Sequence, residues 1–353
     1  MDFIGIDKTV IKNFTVKNID MAKLQSEGNI SNVMCLRNCH NRYNYHAEQR
    51  EDNFNIIKIN DNNMFNSLKI DVKKVKNKFI QYAILDMSIS LEGQNNLTPL
   101  SIGAYKQKVQ AVFKYIYERY GINMDIRNIK FQSLELNATF ELDEPFEEYV
   151  RALGILMRIA PATYKNRIIM SDHRKNKVNL MEVSNKSIKC KTYDKTEQLQ
   201  QVYAFDTNKS ILRIEYTLLT DAKIINVFGT NEINSLTDTQ IKDFIKTQFN
   251  KDFISRYKDF KTDNQGKLYN IAKEFRATHK QWIKPYLTEL SDYELNYKTP
   301  LLMDIEDLKE VVRKVDKINF NRNWKQVYKS CSTAFIGIDD KIEEIFIKIQ
   351  DIK

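Results

Sequence analysis

Two periods of hydrophobic and polar residues alternate along this chain, and the change from one to the other divides it. Up to about residue 225, the period-two pattern of strands is interleaved with a few helical stretches; beyond that point the 3.6-residue spacing of helices dominates. The segment GAYKQKVQAVFKYIYERYG places Val109, Val112, Phe113, Ile116 and Tyr120 on one helical face and stops at Gly121. FEEYVRALGILMRIA, entered through Pro145 and closed before Pro161, reads as a second helix, with a strand between the two. Residues 236–260, 264–290, 304–316 and 335–352 have helical spacing, with Gly266, Pro285 and Pro300 as breaks. The expectation is an α+β domain over residues 1–225, built on a central antiparallel sheet with flanking helices, followed by a mainly helical domain over 226–353.

Three segments alternate strictly enough to assign faces. In SLELNATFEL, Leu134, Leu136, Ala138 and Phe140 oppose Glu135, Asn137, Thr139 and Glu141. In SIKCKTYDKTEQL, Lys191, Tyr193 and Lys195 share a face opposite Cys190, Thr192 and Asp194. In SILRIEYTLL, Leu212, Ile214, Tyr216 and Leu218 point inward while Arg213, Glu215 and Thr217 point out. If the three are neighbours in one sheet, carboxylates, a tyrosine, lysines and an arginine share one surface.

Charge narrows what such a surface meets. The 353 residues carry 55 Lys and Arg against 46 Asp and Glu, an excess of +9 that suits an anionic partner, nucleic acid or a membrane surface. No apolar run is long enough to span a bilayer, and MDFIGIDKTV lacks the basic start of a secretion signal, so a cytoplasmic, non-membrane protein is expected. Four scattered cysteines predict reduced thiols rather than a disulfide framework. Residues 151–210 hold 12 basic and 5 acidic side chains, whereas 131–150 hold six acids and no Lys or Arg. DNA is the partner this distribution favours.

The polar inventory also suits attack on a phosphodiester. A tyrosine hydroxyl can act as nucleophile, but its ordinary pKa of about 10 calls for help from a cation. Lys191 and Lys195 flank Tyr193 and could supply it, while Glu135 and Glu215 could hold a divalent metal, Mg²⁺ or Mn²⁺, that polarises the phosphate. The same alternation also describes an ordinary solvated strand face.

At these residues the chain resembles the filamentous-phage replication endonucleases and related plasmid rolling-circle initiators. KSIKCKTYDKTEQL and ILRIEYTLL resemble their tyrosine-lysine and Arg-x-Glu strands; ELNATF resembles their Arg-Ile-Asp-Ala-Thr-Phe strand, and the order is kept over residues 65–225. The resemblance implies an enzyme that binds an origin, nicks one DNA strand, joins its tyrosine to the 5′ phosphate and rejoins the strand after synthesis. Carried over, Tyr193 is the nucleophile, Lys195 its cation, and Arg213 and Glu215 the paired Arg and Glu. Two positions depart: Asn137 stands where an acid is expected among the metal ligands, and Glu197 comes one residue early for the Tyr-Asp-Lys-x-x-Glu pattern. No His-hydrophobic-His pair is present, which points to a carboxylate metal site. A mobilisation relaxase shares this chemistry with different partners, and a non-catalytic DNA-binding regulator of the same fold is the alternative from another class.

Two basic clusters are candidate phosphate contacts: Lys73, Lys74 and Lys76 in IDVKKVKNKF, and Arg174, Lys175 and Lys177 at a turn upstream of Tyr193. CLRNCHNRYNYH gathers Cys35, Cys39, His40 and His46, with spacing that fits a basic loop near DNA better than zinc. Trp282, Trp324, Phe275, Tyr286 and Tyr328 read as helical core, and Ile338, Ile342, Ile345 and Ile349 as the packed face of a last helix. A host helicase and a second copy of the chain are the further partners expected of an initiator.

Overall fold

The computed structural model describes residues 3–26, 34–35, 55–61, 63–75, 78–88, 97–172, 177–204, 207–297, 301–331 and 338–352. The strands are β1 (Phe3–Ile19), β2 (Met34–Cys35), β3 (Asn55–Asn60), β4 (Ser67–Val75), β5 (Lys78–Ser88), β6 (Ile122–Asp125), β7 (Lys130–Glu141), β8 (Asn166–Asp172), β9 (Lys177–Ser184), β10 (Ile188–Asp194) and β11 (Ile211–Leu218). The α-helices are α1 (Met21–Ser26), α2 (Ile102–Tyr120), α3 (Val150–Ile159), α4 (Lys195–Tyr203), α5 (Asp221–Phe228), α6 (Asp238–Phe249), α7 (Ser255–Thr278), α8 (Ile283–Tyr297), α9 (Ile305–Val315), α10 (Phe320–Cys331) and α11 (Ile338–Asp351). The fold is α+β: a large antiparallel sheet, flanking helices and a helical C-terminal region. Two compact units form, one from residues 1–141 and 184–245, the other from 142–183 and 246–352.

In the first unit the strand order is β2-β3-β4-β5-β1-β7-β11-β10, with β6 pairing the far end of β1. Its core is the apolar parity of these strands, Ile6, Ile11, Leu68, Ile70, Ala83, Leu85, Leu134, Leu136, Phe140, Ile214 and Tyr216, all buried. Helix α2 forms where the periodicity places it. Ser101 caps it by accepting a hydrogen bond from the Ala104 N–H at 3.1 Å, and Gly121 ends it in the left-handed region at φ 69°. Phe14 meets Phe113 edge-on at 5.0 Å between ring centres, which locks β1 to that helix.

The second unit contains the β8–β9 pair, α3 and the C-terminal helices. Trp282, Tyr286, Leu290, Leu308, Val312 and Val327 form its core, with Phe275 and Trp324 packed against it, whereas Tyr328 is 53 % exposed and lies outside the core expected for it. Ile338, Ile342, Ile345 and Ile349 are buried along α11, as their spacing predicts.

Two expected breaks are not breaks. Gly266 lies inside the continuous helix α7, and Pro285 sits in the first turn of α8, where its missing N–H has no helical partner to lose. Helix α10, over residues not assigned from sequence, is an additional element.

Candidate active site

Register brings the functional side chains together. Across β7 and β11, Asn137 stands opposite Glu215, Thr139 opposite Arg213 and Glu135 opposite Thr217; across β11 and β10, Glu215 faces Lys191 and Arg213 faces Tyr193. Side chains of one parity on adjacent strands share a face, so this pairing makes one polar patch from three segments far apart in sequence. On the other side of β7, Gly5 pairs with Asn137 and Lys8 with Glu135, and the register slips between Ile6 and Lys8. Asp7 is the extra residue of that β-bulge. A bulge re-aims the side chain it carries, and here Asp7 joins the patch.

The patch is covered, contrary to the outward, solvated face that alternation predicts. Arg213, Asn137 and Thr139 are fully buried, and Asp7 and Glu215 are only 4 % exposed. Leu97 and the α4 residue Leu199 cluster with Ile211 on this side of β11. The Leu97 segment lies this close because residue 5 is glycine: a Cβ there would come within 2.4 Å of the Leu100 carbonyl oxygen. Backbone hydrogen bonds in both directions between Ile6 and Leu100, at 2.9 and 3.0 Å, fix the approach.

Inside, the polar groups are held by a network of hydrogen bonds. Arg213 donates through Nη1 to Asp7 Oδ2 at 3.1 Å, through Nε to Thr139 Oγ1 at 2.8 Å and through Nη2 to the Leu97 carbonyl at 2.8 Å. The Tyr193 hydroxyl donates to Glu215 Oε1 at 2.6 Å, and Lys191 Nζ stands 3.7 Å from Glu215 Oε2. Thr217 donates to Glu135 Oε2 at 2.9 Å. The Asn137 amide donates to Asp7 Oδ2 at 3.3 Å and its carbonyl accepts from Thr139 at 3.3 Å, so Asn137 positions Asp7, the acid that the neighbouring strand contributes. Lys195 is not a strand residue: β10 ends at Asp194, which caps α4 by accepting from the Glu197 N–H at 3.1 Å, and Lys195 is the first residue of that helix. Its Nζ donates to Gln198 Oε1 at 2.7 Å.

Burial and like charge set the proton affinities. Burial, then Glu215 and Asp7, lifts Glu135 to about 7. Asp7 is also raised by burial, against the pull of Arg213. Burial and the Arg213 guanidinium bring Lys195 down to about 7. Tyr193 is pushed up, by burial first and then by Glu215; this reverses the expected lowering by lysine, because a carboxylate and not an ammonium holds the hydroxyl.

Asp7, Glu135 and Glu215 each offer a carboxylate oxygen within 4.8 Å of the other two. Three hard oxygen donors at that spacing fit Mg²⁺ or Mn²⁺. Asp7 shares the parity of Gly5, opposite to Ile4 and Ile6, but the bulge flips the parity for the rest of β1, so this short stretch is all the alternation that marks it. Of the expected phosphate contacts, Lys73 and Lys74 fall on β4 and Lys177 opens β9, while Lys76, Arg174 and Lys175 lie outside the described residues. Cys39, His40 and His46 lie outside them too.

No family model matches this chain, and no curated protein matches it. Among solved structures it is similar to a rolling circle replication initiator protein from Geobacillus stearothermophilus, at 10 % identity and a TM-score of 0.34, over 72 % of this chain and 86 % of that one. Among the described residues no helix is long and apolar enough to cross a membrane.

Proposed function

We propose that this protein is a metal-dependent, site-specific single-strand DNA endonuclease and ligase that initiates rolling-circle replication of a phage or plasmid. The observation that carries the reading is the Tyr193 hydroxyl held on Glu215 beside Asp7 and Glu135. Tyr193 attacks phosphorus, its hydroxyl proton passing to Glu215, and the bond from phosphorus to the 3′ oxygen breaks. The leaving 3′ oxygen takes a proton from water, giving a 5′-phosphotyrosine and a 3′ hydroxyl, and the reverse reaction rejoins the strand. Asp7, Glu135 and Glu215 would hold the Mg²⁺ or Mn²⁺, which supplies polarisation of the phosphate and offsets charge on the leaving oxygen. Lys191 and Lys195 balance phosphate charge, and Arg213 holds Asp7 in place. Residues 1–225 carry the nicking chemistry in this reading, with Lys73, Lys74, Lys76, Arg174, Lys175 and Lys177 along the DNA path. Residues 226–353 assist origin binding or assembly, with a host helicase or a second copy as partners; a mobilisation relaxase would use the same site.

One observation favours a second reading, a DNA-binding regulator without cleavage. Tyr193 is only 7 % exposed and its hydroxyl is pushed away from ionisation. The two readings part on a covalent adduct. The protein is incubated with Mn²⁺ and labelled single-stranded DNA of its own replicon, then denatured. A retained label that Tyr193→Phe abolishes supports the initiator; DNA binding with no adduct supports the regulator.

A further inference from the structure

A second dense run of positive charge lies far in sequence from the tyrosine site. Residues 313–330 hold six Lys and Arg, and their single acid, Asp316, is buried. The segment is two helices and a tight turn: α9 ends at Val315, four residues follow, and α10 begins at Phe320. Asp316 fixes the turn. It accepts hydrogen bonds from the Asn319 amide at 3.1 Å and the Asn323 amide at 2.9 Å, and it pairs with Arg276 of α7 at 3.1 Å. Phe320 and Trp324 stack on one another and pack against the core, so these aromatic rings face inward.

What α10 turns outward is therefore Asn321, Arg322, Lys325, Gln326, Tyr328 and Lys329, all exposed. Lys317, Arg322, Lys325 and Lys329 have no acidic partner among the described residues. Beside the helix, Gln326, Lys329 and Ser330 line a groove of about 550 Å³ with Lys284, Thr288 and Ser291 of α8, and no acid lines it. Ile318, at the tip of the turn, is 96 % exposed.

We propose that α9, the turn and α10 form a second DNA-binding element that takes duplex DNA. The proposal rests on DNA being the ligand of the protein. A helix of this width enters the major groove, where Arg pairs with guanine and Asn with adenine, and a short-turn helix pair presents its second helix there from its N-terminal residues. Asn321, Arg322 and Lys325 occupy that end of α10. Lys329 and Lys284 hold a phosphate in the groove, and Ile318 meets the sugar edge or a thymine methyl. A single strand would need base-stacking rings, and only Tyr328 is offered on this face.

The test uses the full chain and a fluorescein-labelled 30-base-pair duplex of mixed sequence, with affinity measured by anisotropy across a salt series. Each phosphate contact removed lowers the slope of log affinity against log salt by about 0.9. Arg322→Ala/Lys325→Ala/Lys329→Ala is expected to weaken binding at least about tenfold and to flatten the slope by roughly two to three. The control Lys251→Ala/Lys258→Ala/Lys273→Ala, on exposed lysines elsewhere in the same unit, should leave both nearly unchanged. Equal losses in the two triples, no loss in the first, or equal competition by a single strand of the same length overturns the proposal. If the triple does not fold, Lys325→Ala alone carries the test, with a slope change of about one. Adduct formation on a short single-stranded oligonucleotide should survive the triple. A wild type that makes no adduct yet loses duplex affinity in the triple would sink the nicking reading and leave this element standing.

Discussion

Glu135 shows how one residue in the patch reports on all the others. Its carboxyl is raised from an ordinary 4.5 to about 7 because burial and the neighbouring Glu215 and Asp7 disfavour its charge. Between those two values the folded chain binds more protons than the unfolded chain, so the contribution of Glu135 to stability falls as pH rises across that interval and is constant above it. The whole effect is on the order of 3 kcal/mol at most. Denaturation midpoints at pH 5 and pH 8 check it: Glu135→Gln should gain on the wild type at pH 8 and lose that advantage at pH 5, and an equal difference at both would refute the assignment. Most of this patch was legible residue by residue, since period-two parity alone selects Glu135, Arg213, Tyr193, Lys191 and Glu215. Asp7 was less legible for a physical reason: it alternates with Ile4 and Ile6 over only the first residues of β1, and the extra residue there reverses the parity that Thr9 and Ile11 carry on. Asn137 was legible as the missing acid, but the neighbour that compensates it was not.

At the scale of elements, glycine has opposite consequences in a strand and in a helix. Gly5→Ala would drive its new methyl into the Leu100 carbonyl, displacing the Leu97 segment and with it one acceptor of Arg213. A buried charge that loses a partner is costly, and we expect about 2 kcal/mol or more of destabilisation by urea titration, together with a loss of adduct formation. Gly266→Ala, in the interior of α7 with open space where the methyl would go, should stabilise by about 0.5 to 1 kcal/mol. A neutral Gly5→Ala would mean that the segment does not lie against β1. The helix α7 passes through Gly266 because a single glycine costs too little to end a helix whose apolar face is packed at Leu268 and Ala272. Helix α10 is masked for the converse reason: its buried side chains are few and its outer face, Tyr328 apart, is polar, so composition hides a pattern that packing makes plain. The strand and helix periods therefore carried β7, β10, β11, α2, α3 and α11, while the remaining strands, the caps, bulges and breaks depended on contacts made elsewhere in the chain.

For the molecule as a whole, the consequence of three clustered carboxylates, Asp7 and Glu215 buried and Glu135 half-buried, is that folding and cation binding become linked. Without a cation, Asp7, Glu135 and Glu215 crowd negative charge into one pocket, balanced by Arg213 and the half-buried Lys191. A divalent ion that binds only the folded chain adds RT ln(1 + [L]/Kd), about 2.7 kcal/mol at a hundred times Kd. Binding must displace the proton from Glu135, so the gain is larger at pH 8 than at pH 5. Thermal unfolding followed by far-ultraviolet circular dichroism, with and without Mn²⁺ at both pH values, measures it. The midpoint should rise with Mn²⁺, more so at pH 8, and Asp7→Asn should remove most of the rise. Asp7→Asn also takes the negative partner from the fully buried Arg213, so its midpoint without metal should fall. The two effects are separable because only one of them depends on Mn²⁺. A rise that persists undiminished in Asp7→Asn would place the cation elsewhere, and no rise at either pH would leave the three carboxylates as a purely structural cluster and favour the regulator over the nuclease.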